Sequence, residues 1–519
     1  MRLHDYLDKG ASLGADRPCL TTDGTSMSYA DVVRLSHEVA AALVASGVGE
    51  GARVAILSAN DPVAFTCVFG ISQAGGVWCP INPRNEAAEN RELLALFDAE
   101  VVLHQSGFAP LVAAIRDQLP GVHTWVCLDG PADGSLTRQE FLDRGRGVDV
   151  PDPFAAAALP APVRGDELAM LVGTGGTTGR PKGVMLTPTN LETMTALTLM
   201  GYPFDGPPVY LALAPLTHAA GVLCFPVLAL GGEVVIMRVP DVGGFLRLVH
   251  EHGVTHTFLP PTLIYVVLGS PHLDSTDLSS LQCFWYGAAP MSASRLEEAL
   301  RRIGPVMAQL FGQTEAPMMI SMMPPADHFR ADGSVATERL TSAGRPAPLV
   351  TVAILDEDDR PVPPGERGEI CARSSLVMAG YWKDPDETAR TLRHGWLHTG
   401  DIGFVDDEGF LHIVDRAKDM IISGGFNVYS TEVEQAVLAH GAVQDCAVVG
   451  LPDDTWGERV VVVVQPHPGA EVDPDELRGF VKQRIGSVKT PKEVHVWPDL
   501  PRSKVGKVLK TEIKKELAG

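Results

Sequence analysis

Apolar positions recur at helical spacing through residues 29–48, where Val32, Val33, Leu35, Val39 and Leu43 fall on one face. Ser28 stands where a capping side chain would accept a free N–H, so a capped helix is predicted. The period then changes. Val54-Ala-Ile-Leu57 is a short apolar run bounded by Gly51 and Asn60, and Val101-Val-Leu103 repeats it, which predicts buried strands between helices. Such alternation predicts stacked α/β layers. Residues 130–164, rich in Pro, Gly, Ala and Asp, read as a loop-rich connector. Beyond residue 350, β-branched runs at 350–355 and 368–372 predict a small β-rich subdomain. Near the C-terminus the pattern alternates again: 430–439 and 475–485 are helical in period, and 445–451 and 459–465 are strand-like. A separate, smaller α+β domain is predicted there.

With 519 residues the chain is long for one core and suits a large domain plus a smaller one. A hydrophobic content of 45% with 20% charged residues is ordinary globular composition. The net charge of −22 argues against nucleic-acid partners and anionic membrane surfaces, which attract positive potential. The most apolar stretch, residues 221–237, is broken by Pro226, Gly231, Gly232 and Glu233, so no membrane span is expected. The N-terminal residues mix charges of both signs and lack the apolar core of a signal peptide. Eight cysteines lie scattered without a Cys-x-x-Cys pair, which fits buried thiols in a reducing cytoplasm.

Candidate chemistry begins at Thr174-Gly-Gly-Thr-Thr-Gly-Arg-Pro-Lys-Gly183, after the apolar run Leu168-Ala-Met-Leu-Val172. Glycines let N–H groups turn toward an anion, threonine hydroxyls add donors, and Lys182 supplies a mobile positive charge. A polyphosphate ligand is expected. Lys182 follows Pro181 and precedes Gly183, whereas a Walker loop places its lysine between glycine and Ser or Thr. The spacing excludes the usual P-loop NTPase.

This string resembles the phosphate loop of the adenylate-forming superfamily, which includes acyl-CoA synthetases, peptide-synthetase adenylation domains and firefly luciferases. Further strings resemble that family in the right order. Tyr286-Gly-Ala-Ala-Pro290 is similar to the segment whose backbone, here Gly287, Ala288 and Ala289, lies against adenine and the acyl pocket. Phe311-Gly-Gln-Thr-Glu315 resembles the aromatic-Gly-x-Thr-Glu motif. The resemblance implies that Phe311, Gly312 and Gln313 border the nucleotide, Thr314 bonds the α-phosphate and Glu315 holds Mg²⁺, a hard cation suited to an oxygen ligand. Trp396-Leu-His-Thr-Gly-Asp401 and Asp415-Arg-Ala-Lys-Asp419 are similar to two more motifs, placing Asp401 on the ribose hydroxyls with Arg416 nearby. Pro501-Arg-Ser-Lys-Val-Gly-Lys507 resembles the C-terminal motif whose lysine, here Lys507, reaches the carboxylate and α-phosphate. Lys504 and Lys510 read as solvated charges. The segment 74–84 also resembles the family, so nearly the whole chain is covered.

The resemblance implies a division into an AMP-binding adenylation domain (1–415), a hinge at 416–419 turning about Lys418, and a mobile C-terminal domain (420–519). ATP, Mg²⁺ and a small-molecule carboxylic acid are the implied reactants, giving an acyl-adenylate and pyrophosphate. Ser423-Gly-Gly-Phe-Asn427 resembles the loop lining a pantetheine tunnel, so Gly424 and Gly425 point to coenzyme A as acceptor. An amine or amino acid attacking the same adenylate is the alternative, and a catalytically silent nucleotide binder is the alternative of another class. His218, in Pro215-Leu-Thr-His-Ala-Ala-Gly221, matches a histidine bordering the carboxylate, although a lone His after an apolar strand is more often structural. His250, His252 and His256 lack a fourth ligand and read as helix-end residues rather than a metal site. Met318, Met319, Met322 and Met323, with Trp285, fit either an apolar pocket or the core. Three positions depart from the family pattern: Gly175 for Ser, Pro188 for His and Ser430 for Pro.

Overall fold

The helix Tyr29–Ala45 begins where the Ser28 hydroxyl accepts the Asp31 N–H, and its buried face carries Val32, Val39 and Leu43. It packs against Pro62–Gln73, an almost wholly buried helix capped by Asp61. One buried cluster runs from Val54 and Ile56 of one sheet, through Val39, Leu43, Phe65 and Phe69 of these helices, to Tyr210, Val234 and Trp285 of another sheet. The computed structural model describes residues 1–150, 167–175, 181–454, 456–502 and 508–518.

Each large sheet is parallel at its centre. The eight-stranded sheet has Val77–Ile81, Arg53–Leu57, Val101–His104 and Thr124–Cys127 as parallel neighbours, with the antiparallel hairpin Met170–Gly175 and Pro181–Leu186 toward one edge. The nine-stranded sheet runs parallel through Glu233–Ile236, Val209–Ala212, His256–Leu259, Cys283–Gly287 and Met307–Gln313. Parallel strands covered on both faces are near-continuous apolar runs, as Cys-Phe-Trp-Tyr-Gly at 283–287 illustrates. Ligands bind such sheets outside the carboxyl ends of their strands.

A four-stranded antiparallel sheet follows, built from Thr351–Leu355, Gly368–Arg373, Leu397–Val405 and Leu411–Arg416. After the short turn Ala417–Asp419 comes the C-terminal unit, with Val443–Asp453 and Gly457–Pro466 as its central hairpin. The run of five valines at 460–464 explains its two layers. Val460, Val462 and Val464 face helices Ser430–Leu438 and Pro474–Lys489, while Val461 and Val463 face helix Lys510–Leu517. The α/β architecture, with its β-rich subdomain and smaller α+β domain, is as the sequence predicts.

The connector expectation for 130–164 needs correction over its described part. Leu136–Thr137 adds a strand to the eight-stranded sheet, and Arg138–Arg144 is a helix with Phe141 fully buried. Thr137 and Glu140 form a reciprocal capping box there. Residues 151–166 lie outside the described residues. All eight cysteines are free and buried, and among the described residues no helix is long and apolar enough to cross a membrane.

Candidate active site

The phosphate-loop hairpin pairs Thr174 with Lys182 and Gly175 with Pro181. Gly176, Thr177 and Thr178 lie outside the described residues, as does Lys507. The Lys182 ammonium pairs with the Glu387 carboxylate and lies 5.0 Å from the centre of the Tyr381 ring. The Tyr381 hydroxyl donates to Glu315 Oε1 at 2.8 Å. Burial first, then the Glu315 carboxylate, pushes the Tyr381 phenol well above its ordinary range, so it stays a donor. Tyr381 thus joins the phosphate-loop lysine to the acid expected to hold the metal. Glu387 also receives two bonds from Arg390, and these partners with Lys182 hold its carboxyl below the usual range, Lys182 contributing most.

Glu315 follows the carboxyl end of Met307–Gln313, whose antiparallel pairing with Ala316–Met323 slips between Phe311 and Gln313. Gly312 is required at the slip: a Cβ there would meet the Met318 nitrogen at 2.5 Å and the Ala316 carbonyl at 2.7 Å. The Glu315 carbonyl accepts the Met378 N–H at 2.8 Å, which fixes the Thr314-Glu315 turn to the chain leading into Tyr381. Gly287 is the register partner of Leu310, and Ala288 adopts a left-handed φ of 65°. The Gly287-Ala288-Ala289 turn therefore flanks Phe311-Gly312-Gln313 across two parallel strand ends. Glu315 offers a half-buried carboxylate whose Oε1 already has one donor, which fits a hard oxygen-seeking cation.

A second group sits on the β-rich subdomain. Asp401 is buried, and its Oδ1 pairs with the exposed Arg416 guanidinium at 2.7 Å. Lys418 is exposed in the turn Ala417–Asp419 and makes no salt bridge among the described residues. His218 precedes the short helix Ala219–Val222, with Nδ1 at 2.9 Å from the Thr217 hydroxyl.

The chain as a whole is similar to known proteins. Residues 7–382 match the AMP-binding enzyme family, and residues 432–507 match its C-terminal domain. The chain belongs to the AMP-binding enzyme family. A medium/long-chain-fatty-acid–CoA ligase of Mycobacterium tuberculosis, FadD8, is 37% identical over 503 residues, covering 95% of this chain and 86% of that protein. A feruloyl-CoA synthase of Amycolatopsis is 37% identical over 494 residues, covering 95% of this chain and 94% of its own. Among solved structures, the amide bond synthetase McbA from Marinactinospora thermotolerans superposes with a TM-score of 0.89 at 31% identity, covering 99% of both chains.

Two of the three positions expected to depart from the family pattern, Pro188 and Ser430, have local structural reasons for the residue present. Pro188 occupies the first turn of helix Pro188–Gly201, where its missing N–H costs nothing and its φ suits the helix. Ser430 donates its backbone N–H and its hydroxyl to the Asp415 carboxylate, the hydroxyl at 3.0 Å. A proline could not make the first of those bonds. Lys510 corrects the expectation of a solvated charge: it pairs with Glu434 at 2.8 Å and donates to the Ser430 hydroxyl at 2.5 Å. Burial lowers its pKa, but the Glu434 and Asp415 carboxylates outweigh burial and raise it.

Other expected residues are not gathered with the two groups. Gly424 and Gly425, both left-handed, form the turn between Ile421–Ser423 and Phe426–Val428, where the Gly424 N–H bonds the Trp456 carbonyl. Met319, Met322, Met323 and Trp285 are core residues, and Met318 is half-buried. His250 and His252 end helix Val242–His252, and His256 is buried with Nε2 on the Pro203 carbonyl. No metal grouping includes them among the described residues. Sequence reasoning missed Tyr381 and Glu387. Neither lies in a recognisable string, and each acquires its role only through contacts with residues far along the chain.

Proposed function

We propose that this chain is an ATP-dependent carboxylic acid–CoA ligase that works through an acyl-adenylate. The bridge Lys182–Tyr381–Glu315 carries the proposal, because it joins a phosphate-binding cation to a metal-binding acid at the end of the parallel strands. In the first step a carboxylate oxygen attacks the α-phosphorus of ATP as the bond to pyrophosphate breaks. Lys182 and the loop 174–178 hold the leaving phosphates, Thr314 binds the α-phosphate, and Asp401 accepts the ribose hydroxyls. Mg²⁺ held at Glu315 would neutralise charge on the departing pyrophosphate. Phe311 borders the adenine, and His218 lies beside the substrate carboxylate. In the second step the sulfur of coenzyme A attacks the acyl carbonyl, its proton leaves to solvent, and AMP departs with the electron pair. Gly424 and Gly425 line the path of the thiol arm.

The division of labour follows the chain: 1–415 binds the nucleotide and the acid, 416–419 turns about Lys418, and 420–519 brings Lys507 to the first step and Gly424 and Gly425 to the second. An acid with an apolar tail, fatty or phenylpropenoic, is the substrate class supported by the two ligases above. Amide formation is the second reading, favoured by the likeness to McbA. Lys507 is assigned to the first step, where a cation between two anions lowers repulsion in the transition state. Lys507→Ala should reduce pyrophosphate release by about 10²–10³-fold while leaving thioester formation from supplied acyl-adenylate within severalfold of wild type. Equal loss in both half-reactions would remove Lys507 from adenylation.

A further inference from the structure

Asp401 stands at the end of an irregularity in its own strand. Glu369 pairs with Ile402 and Cys371 with His398, so Ile370 alone opposes Thr399, Gly400 and Asp401. The strand Leu397–Val405 therefore bulges at Thr399–Asp401, with Gly400 at a left-handed φ of 71°. A bulge re-aims the side chains beside it, and its loosened backbone needs other partners. Glu369 provides one: its Oε1 accepts the Gly400 N–H at 2.9 Å. Its Oε2 accepts from His398 Nδ1 at 2.8 Å, and because a carboxylate is acceptor-only, that nitrogen carries the proton. The Thr399 hydroxyl ties the same turn to the Ile370 carbonyl at 2.6 Å and accepts the Asp401 N–H at 3.1 Å.

Arg393 completes the surroundings by pairing with Asp359 at 2.9 Å and Glu369 at 3.5 Å. Ligand atoms of Glu369, Cys371 and His398 lie within 4.8 Å of one another, as metal ligands would. Arg393 already supplies the cation those carboxylates need, and Glu369 Oε1 is committed to Gly400. The cluster is a brace, not a metal centre.

We infer that Glu369, oriented by His398, is a positioning residue that fixes the Thr399–Asp401 bulge and so aims the Asp401 carboxylate at the ribose of ATP. The inference rests on the proposed contact of Asp401 with the ribose hydroxyls. Nothing in the composition of Gly-Glu-Ile-Cys marks Glu369 for this role; the register slip does.

The test compares ATP with 2′-deoxy-ATP in pyrophosphate release by the full chain, with thermal unfolding measured alongside. Wild type should prefer ATP. Glu369→Ala should raise the KM for ATP about tenfold at nearly unchanged kcat, leave the KM for 2′-deoxy-ATP nearly unmoved, and so collapse the preference. Glu369→Gln should restore it, since an amide oxygen still accepts the Gly400 N–H. A folded Glu369→Ala variant that keeps the wild-type preference would overturn the brace. Should that variant fail to fold, His398→Gln takes its place, with a reduced preference expected and an unchanged one contradicting the inference. Equal use of both nucleotides by wild type is a different failure, one that removes Asp401 from the ribose itself.

Discussion

At the scale of single residues, the contacts of Tyr381 set the proposed phosphate end of the site. Its ring takes the Lys182 cation and its hydroxyl donates to Glu315, so one side chain restrains two groups of opposite charge. Removing the hydroxyl while keeping the ring separates the two roles. Tyr381→Phe should leave Lys182 in place but free Glu315, raising the Mg²⁺ concentration for half-maximal pyrophosphate release by roughly threefold to tenfold. A magnesium titration at saturating ATP checks this, and an unshifted midpoint would detach Glu315 from the metal or Tyr381 from Glu315. The phosphate-loop string announces Lys182 because glycines and hydroxyls around a lysine have few other uses. It is silent about Glu387 and Tyr381, whose roles come from the pairing of Gly380–Tyr381 with Val184 and Met185.

At the scale of elements, two buried histidines couple the strand ends to pH. His328 is held beside the strand Cys283–Gly287, with Nε2 at 2.9 Å from the Tyr286 hydroxyl and Nδ1 at 3.2 Å from the Pro324 carbonyl. The carbonyl can only accept, so Nδ1 carries the proton and Nε2 receives one from Tyr286. Burial lowers the pKa of His328 to about 4, and that of His256 likewise to about 4, from an ordinary 6.5. Between those values the unfolded chain binds protons that the folded chain refuses, so stability is full above 6.5 and is lost as pH falls toward 4. Each histidine contributes up to about 1.4 kcal/mol per pH unit across that window. Urea unfolding at pH 7 and pH 5 should show the loss, and His328→Gln should make it shallower. The same slope in that variant would mean that His328 protonates in the folded state.

Elements with a strong period were legible in advance, including the Ser28-capped helix and the valine-rich strands of the C-terminal unit. The helix Arg138–Arg144 was not, because seven residues carry too little period and the surrounding Pro and Gly dominate the pattern. Its signal was local, in Thr137-x-x-Glu140. Lys510 was misjudged for a related reason. A lysine in a basic stretch reads as solvated, and only the fold brings Glu434, Ser430 and Asp415 around it.

At the scale of the whole molecule, contacts cross the turn at Ala417–Asp419. Asp415, before the turn, binds Ser430 and Thr431 after it, and Arg295 donates to His467 at 2.9 Å. A rotation about Lys418 would have to exchange such contacts, while the cores on either side stay intact. Fixing φ at the turn should therefore separate the half-reactions. Lys418→Pro should keep acid-dependent pyrophosphate release within about threefold of wild type and slow thioester formation more than tenfold. Undiminished thioester formation would place the pivot elsewhere.

The identity of the acceptor is the claim on which the function turns. Purified protein supplied with ATP, Mg²⁺ and a panel of fatty and aromatic carboxylic acids, with coenzyme A and a primary amine competing, can be read by mass spectrometry of the products. AMP and an acyl-CoA thioester are expected from at least one acid, with amide a minor product. Amide as the main product, or no ATP-dependent product from any acid of the panel, would contradict it.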